Sequence, residues 1–484
     1  MDARHTVLPP ELGWTLLALF GLLWIFLGYL WGRKAKNMDG FMVAGRNVGL
    51  ALGTATAMAT WITSNTTMLA PQFALQFGII GMLAYSSAAL GLIFFAPMAN
   101  RIRQLMPRGY TSGDFIRLRY GRTAWILFLI ISLFYCLTWL VSMTMAGGLF
   151  LNAVAGIPYQ HGMTIILLVC VLYTMFGGLY AVIGTDYIQS LIILIGVVLI
   201  GFIVLNRIDF DATYTELATF QPALLMVLAP AAIMMFFNNL LFGFGEIFHN
   251  NVWWSRAFAM RKGVPGKAFF YGGLFWLPIP VAVGFIVLAA GYLGINIPNV
   301  NQAGPIIASE LLGLTGAVVV FIVIFCSLAS SIDSLLAATS DLLTEDVYRK
   351  GLRRKAKDRE LRKASIAIIA LLGLFAWIVA LPNIGNLGTV LFFAGPLVGS
   401  AIWPVVAGLY WQRTNPTAVI LAMLLGSSIG LYVYFQHAWY IASIAGTTIS
   451  MLIVVVGTRL FPRPFNWADL AEPDLAIQKE DSSS

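Results

Sequence analysis

Residues Gly45 to Gly78 read GRNVGLALGTATAMATWITSNTTMLAPQFALQFG, and the reading of this stretch decides the fold. A helical crossing of a bilayer takes about 20 mostly apolar residues. This run holds 34, is rich in Gly and Thr, and turns polar at its middle in Thr63-Ser64-Asn65-Thr66-Thr67, with Pro71 following. Hydrocarbon offers no partner to an unpaired peptide group, so a spanning helix breaks only where its backbone lines a cavity; the break then frees carbonyls for ions. A broken helix is expected here. A second is expected where Asn238-Asn239, Gly243, Gly245, Glu246 and Asn250-Asn251 interrupt another apolar run. Two interrupted segments five spans apart are what an inverted repeat of five plus five helices predicts.

The rest of the chain supports a membrane reading. Of 484 residues, 59% are apolar and only 10% charged, and the mean hydropathy is +0.84. That balance excludes a water-soluble or disordered class. Apolar runs fall at about 14–32, 48–77, 79–100, 123–153, 161–181, 187–206, 223–248, 269–293, 305–343, 364–382, 386–411, 416–436 and 438–460, which gives thirteen crossings. No room remains for an appended catalytic domain. The first run is preceded by Asp2, Arg4 and Glu11 and followed by Arg33, Lys34 and Lys36, so it reads as a retained span rather than a signal peptide.

The net charge of +8 would suggest nucleic acid in a soluble protein, but the basic residues sit in short loops and read as topology. Arg101, Arg103, Arg108, Arg117, Arg119 and Arg122 share one loop; Arg256, Arg261, Lys262 and Lys267 share another, and Arg349 to Lys363 holds nine basic residues. All three face the cytoplasm in this reading, with the N-terminus outside and the C-terminus inside. No nucleic acid partner is expected. Cys136, Cys170 and Cys326 lie in separate apolar runs without a histidine at ligand spacing and read as core filler. The tail from Pro462 to Ser484 is expected to be disordered.

Ionisable groups at membrane depth default to function, because even an aspartate at a helix centre costs at least about 2.5 kcal/mol. Asp186, Glu246, Asp333 and Asp341 qualify, Asp341 reading as a membrane-edge position, and no Lys or Arg is expected at a span centre to pair with them. A cation is then the natural partner. In Phe325 to Lys350, FCSLASSIDSLLAATSDLLTEDVYRK, Ser327, Ser330, Ser331 and Ser334 follow i, i+3, i+4, i+7 along one helix face, with Asp333 beside them. Hard monovalent cations want several oxygens, so these hydroxyls and carbonyls from the broken helix would make a cage.

Three stretches give a specific resemblance. Ala44-Gly45-Arg46-Asn47 looks like the A-G-[RK]-[SN] opening of the sodium:solute symporter family, Phe176 to Gln189 (FGGLYAVIGTDYIQ) is similar to its span 4 to 5 pattern, and Leu343-Thr344-Glu345-Asp346-Val347-Tyr348 resembles its T-x-D-[LIV]-Y segment. The resemblance implies an all-α membrane protein with a leucine-transporter-like 5+5 inverted repeat that works by alternating access. Its parts would be an N-terminal extra span (1–37), two five-helix repeats (38–207 and 208–412), two C-terminal spans (413–461) and a cytoplasmic tail (462–484). It implies one sodium, and in some members two, with no organic cofactor. The matching positions for the first sodium are Ala59, Ile62, Ser327, Ser330 and Ser331; for a second cation or a proton they are Asp186, Ser330, Asp333 and Ser334, with an aspartate at 333 where those members usually have serine.

The solute is expected to be small and polar, held by Trp61, Ser64, Asn65, Tyr135, Thr138, Trp139, Asn238, Glu246, Asn250 and Asn251. Ala59-Thr60-Trp61 looks like the urea and choline branches, whereas the proline branch has an aspartate in place of Trp61. Asn250 to Arg256 and GGLFWLPIPVA (Gly272–Ala282) resemble the urea branch, which has an acid and a glutamine where this chain has Asn250 and Asn251. With no Arg or Lys in a span, a dicarboxylate is not expected. The sequence has no nucleophile-base motif, metal-ligand pair or phosphate loop of an enzyme. A solute sensor on the same architecture would need a separate partner to read it out.

Overall fold

The computed structural model describes residues 7–385 and 387–471, apart from the side chains of Ser64 and residues 203–205. Eleven of its helices are long and apolar enough to cross a membrane. Among the described residues the only β feature is a bridge between Val48 and Met260. The tail of the chain beyond residue 471 lies outside the described residues.

The expected break is present. One helix runs Leu50–Trp61, Ile62 leaves helical geometry at φ −79°, ψ 81°, and a second helix runs Ser64–Phe77. The cause is local: Thr63 and Thr66 cap each other, each backbone N–H donating to the other's hydroxyl at 3.2 Å. Such a reciprocal cap satisfies two of the orphan donors of a new helix start. The second break is sharper than the sequence indicated. Pro230–His249 stops at Asn250, whose backbone is extended, and Asn251–Ala259 begins there with the Asn250 side chain accepting from the Val252 N–H at 2.9 Å. The polar and glycine positions upstream of it stay helical.

The two broken pairs are tied together, because Val48 N–H donates to Ala259 and Arg261 N–H to Val48, both at 3.0 Å. Around them stand long helices. Tyr159–Leu205 spans 47 residues with non-helical geometry at Gly178 (φ 52°, ψ −141°), where a Cβ would lie 2.6 Å from the Phe41 carbonyl oxygen. Ala303–Leu342 carries the serine stripe and has all four serines buried. All three cysteines are buried and free.

The basic loops are more than topology. Arg119 is buried and donates to the carbonyls of Gly408, Trp411 and Gln412 at 3.3, 2.9 and 3.1 Å, at and just past the end of helix Gly395–Tyr410, so it supplies partners to carbonyls that a helix terminus leaves without intrahelical donors. Arg103 donates to Met260 at 2.9 Å. Nor is the tail free from Pro462 onward: the Arg119 guanidinium lies 4.5 Å from the Phe465 ring, and Leu470 is fully buried. Aromatic side chains in this segment give it apolar area that its composition as a whole conceals.

At the same end, Lys350 pairs with Asp114 and sits 3.2 Å from Glu345 and 3.9 Å from Asp346. Asp346 also accepts from Thr111 at 2.6 Å and Trp125 at 2.9 Å. Replacing Lys350 with methionine leaves three buried carboxylates without their ammonium and should cost about 3–5 kcal/mol; a large fall in the melting temperature of the purified protein checks this. Thr63→Ala with Thr66→Val, which removes the reciprocal cap, should cost about 1–2 kcal/mol, read as a smaller fall in the same assay.

Candidate functional site

At the break, carbonyls that a continuous helix would consume are met by the serine helix instead. Ser330 Oγ donates to the Ala59 carbonyl at 2.8 Å and Ser331 Oγ to the Thr60 carbonyl at 3.3 Å. Ser331 also reaches the Ser327 carbonyl at 2.9 Å. The Trp61 carbonyl accepts from Thr66 Oγ1 at 3.1 Å and from the Trp276 indole at 2.5 Å. Thr66 N–H, which would otherwise serve the Ile62 carbonyl, is spent on the Thr63 hydroxyl. Ala59, Ile62, Ser327, Ser330 and Ser331 are all buried, and the oxygens of Ala59, Ser327, Ser330 and Ser331, which the hydrogen bonds above bring together, are neutral and hard. That donor chemistry fits a dehydrated monovalent cation.

Above this set lies a chamber of ≈ 390 Å³, open space included, lined by Trp61, Thr63, Asn65, Tyr85, Ala88, Trp139, Asn239, Phe242, Glu246, Trp276, Leu391 and Phe392. Its walls are rings: Trp61 meets Trp139 at 6.2 Å, Trp253 at 5.2 Å and Trp276 at 5.7 Å between centroids. The Asn65 amide nitrogen is buried without a hydrogen-bond partner. Glu246 is the one ionisable side chain other than Tyr85 in the lining, and no cationic side chain lines it.

Of the solute residues expected from sequence, Trp61, Asn65, Trp139 and Glu246 come together in this lining. Tyr135 stands behind it, buried against Trp139 and His249. Four others direct at least one polar atom elsewhere, although the amide nitrogens of Asn238 and Asn250, like that of Asn65, are buried without a hydrogen-bond partner. Thr138 bonds back to the Tyr135 carbonyl at 2.8 Å, Asn238 accepts from Ser443 N–H at 2.9 Å, and Asn250 caps the half-helix after it. Asn251 donates to the Ala338 carbonyl at 2.9 Å and accepts from Ser112 N–H at 3.0 Å. The Ser64 side chain lies outside the description. Tyr85, Asn239, Trp276 and Phe392 were not expected; Asn239 is the next residue to Asn238, and the rings have no sequence signal separating a chamber wall from a lipid face.

The deep acids differ from expectation in one respect. Arg256, assigned from sequence to a loop, is fully buried and lies 3.2 Å from Asp186 Oδ2. It also donates to Thr60 Oγ1 and Ser334 Oγ, both at 2.6 Å, and to Thr56 Oγ1 at 3.0 Å. The linear pattern placed the end of the span at residue 248, whereas the chain re-enters the protein as Asn251–Ala259, buried along its length. Asp333 accepts from Tyr173 at 2.8 Å and from Ser334 at 3.2 Å. Asp341, one residue before the end of helix Ala303–Leu342, is buried, with no hydrogen-bond partner on either carboxylate oxygen.

The urea-proton symporter DUR3 of Oryza sativa subsp. japonica is 26% identical over 87% of this chain, which spans 64% of that relative's length. The osmoregulated proline transporter OpuE of Bacillus subtilis is 26% identical over 90% of this chain and 94% of its own. A Na+-coupled sialic acid symporter, solved in an outward-open state, superposes with a TM-score of 0.78 at 16% identity, covering 94% of this chain and 99% of the other. Mhp1, a nucleobase-cation-symport-1 family transporter, gives 0.57 at 17% identity over 90% and 97%. The fold is that of leucine-transporter-like carriers. Residues 41–426 match the profile of the sodium:solute symporter family, and with four fifths of its length in that match the chain belongs to this family.

Proposed function

We propose that this protein is a sodium-coupled symporter of a small, polar, N–H-bearing solute. Sodium is held by the carbonyls of Ala59, Ile62 and Ser327 and the hydroxyls of Ser330 and Ser331. The observation that carries this reading is the convergence of Ser330 and Ser331 on the carbonyls of Ala59 and Thr60 beside the break at Ile62. An ion bound there fixes the break open next to the chamber, so solute and ion bind in one conformation. The solute sits among Trp61, Asn65, Trp139 and Glu246. One carboxylate and two amides among rings suit a donor-rich molecule of the urea or amine class, and the lack of a cationic side chain in the lining disfavours an anion. The names of the rice and Bacillus relatives are compatible with solutes of this size.

Topologically, the eleven long helices, the broken pair Leu50–Phe77 and the division of Tyr159–Leu205 at Gly178 support thirteen crossings. The N-terminus is then outside and the C-terminus inside, with repeats at 38–207 and 208–412. Each positive charge carried inward gains roughly 2.3 kcal/mol per 100 mV, which is about 50-fold in accumulation of an uncharged solute. No observation favours a sensor over a carrier.

Urea uptake into proteoliposomes, against methylammonium, choline and proline, under an imposed sodium or proton gradient tests this reading; uptake indifferent to sodium overturns it. Ser330→Ala with Ser331→Ala should raise the sodium concentration for half-maximal uptake by about tenfold or more, since one lost ion contact is worth about 1.4 kcal/mol. Glu246→Gln should weaken solute binding while leaving the sodium requirement in place, measured as a rise in the KM for solute alone.

A further inference from the structure

Beside the oxygens assigned to sodium lies a second buried set, and a side chain of the protein already fills it. Arg256 is held by four side-chain oxygens and one carbonyl: Thr60 Oγ1 and Ser334 Oγ at 2.6 Å, Thr56 Oγ1 at 3.0 Å, Asp186 Oδ2 at 3.2 Å, and Val252 O at 3.0 Å. Asp186 Oδ1 has no hydrogen-bond partner, so the carboxylate is engaged through Oδ2 alone, where Thr56 also donates at 2.6 Å. The two sets share residues. Thr60 offers its carbonyl to Ser331 and its hydroxyl to Arg256; Ser330 offers its carbonyl to Ser334, which in turn contacts both Arg256 and Asp333.

We propose that Arg256 is a tethered second cation: its guanidinium stands where a second sodium would bind, so that the protein carries a single sodium per cycle. This inference rests on the sodium reading above. Charge supports it. The buried carboxylates beside these hydroxyls are Asp186 and Asp333, and one guanidinium with one sodium balances them, whereas two sodium ions with the guanidinium would leave an excess positive charge away from water. The guanidinium lies between Thr56, Thr60, Ser334 and Asp186 Oδ2, within hydrogen-bond distance of each, and so fills the space that an ion held by those four oxygens would need. Hydroxyls freed from Arg256 accept a cation as readily as they accept the N–H, since both use oxygen lone pairs. Arg256 belongs to the half-helix after the second break, so the same tether links that element to Thr56 and Thr60 of the first broken helix, to Asp186 and to the serine helix.

The test is equilibrium binding of radioactive sodium to the purified full chain, with thermal unfolding as the fold control. Wild type should saturate at one ion per chain with a Hill coefficient near 1. Arg256→Gln keeps a polar side chain but removes the charge, and should saturate at two ions per chain with a Hill coefficient approaching 2. Asp186→Asn in the Arg256→Gln background should return the count to one. A folded Arg256→Gln protein that still binds one ion overturns the proposal, and so does a wild type that binds two; the latter decides the matter even if the variant does not fold. A wild type that binds none fails the sodium site itself, a result distinct from either.

Discussion

A membrane helix that stops at Ile62 and restarts at Ser64 leaves peptide groups unpaired where water is scarce, and the rest of the protein is arranged around that deficit. Each unpaired polar group in such surroundings costs several kcal/mol. The deficit is met by side chains from three places: Ser330 and Ser331 from the long serine helix, Trp276 from helix Pro265–Trp276, and Thr63 and Thr66 from the restarted helix itself. Serine at those positions is therefore structural before it is functional. A hydroxyl that donates to a carbonyl still presents lone pairs beside it, so the contacts that rescue the backbone also assemble an oxygen cage.

The second break is matched to the first. Trp61 and Trp253 meet at 5.2 Å, and Val48 is hydrogen-bonded to Ala259 and Arg261, so the two discontinuities form one unit with the aromatic chamber beside them. Burying Arg256 and Asp186 removes both charges from water, a penalty offset only because every nitrogen of the guanidinium has an oxygen partner. Four hydroxyl or carboxylate oxygens from three different helices are needed for that, and they fix how those helices pack.

Much of this was legible in the sequence because it depends on periodicity and on residues that are costly in lipid. The serine stripe, the Thr-rich break and Asp186 all violate hydrocarbon rules and so announce themselves. What was missed obeys those rules or hides behind a boundary. Trp276 is 1% exposed and its neighbour Phe275 is 48% exposed, yet both read as apolar residues in the same run. Arg256 follows Val252-Trp253-Trp254 by two residues; that apolar triplet, buried in the structure, was the available sign that the chain had not yet left the protein. Asn238 and Asn251 are ambiguous for a different cause, since an amide in a span serves equally to face a solute or to hold a neighbouring backbone, as each does here.

The same geometry distinguishes which elements are tied to one another. The Lys350 cluster joins segment Ser112–Tyr120 to the end of the serine helix, and a Cβ at Gly113 would stand 2.6 Å from Asp346, so these two elements are locked side by side. The half-helix Asn251–Ala259 is held to that locked pair by Asn251 to Ala338 and Ser112, by Arg256 to Ser334, and by the Trp254 ring 5.2 Å from that of Phe115. These ties come from different sides of a nine-residue helix that begins at an extended Asn250. Arg256 thus ties the second break to the first broken helix, to Asp186 and to the serine helix, while the Lys350 cluster joins its own elements through none of those residues and so fixes a separate part of the frame.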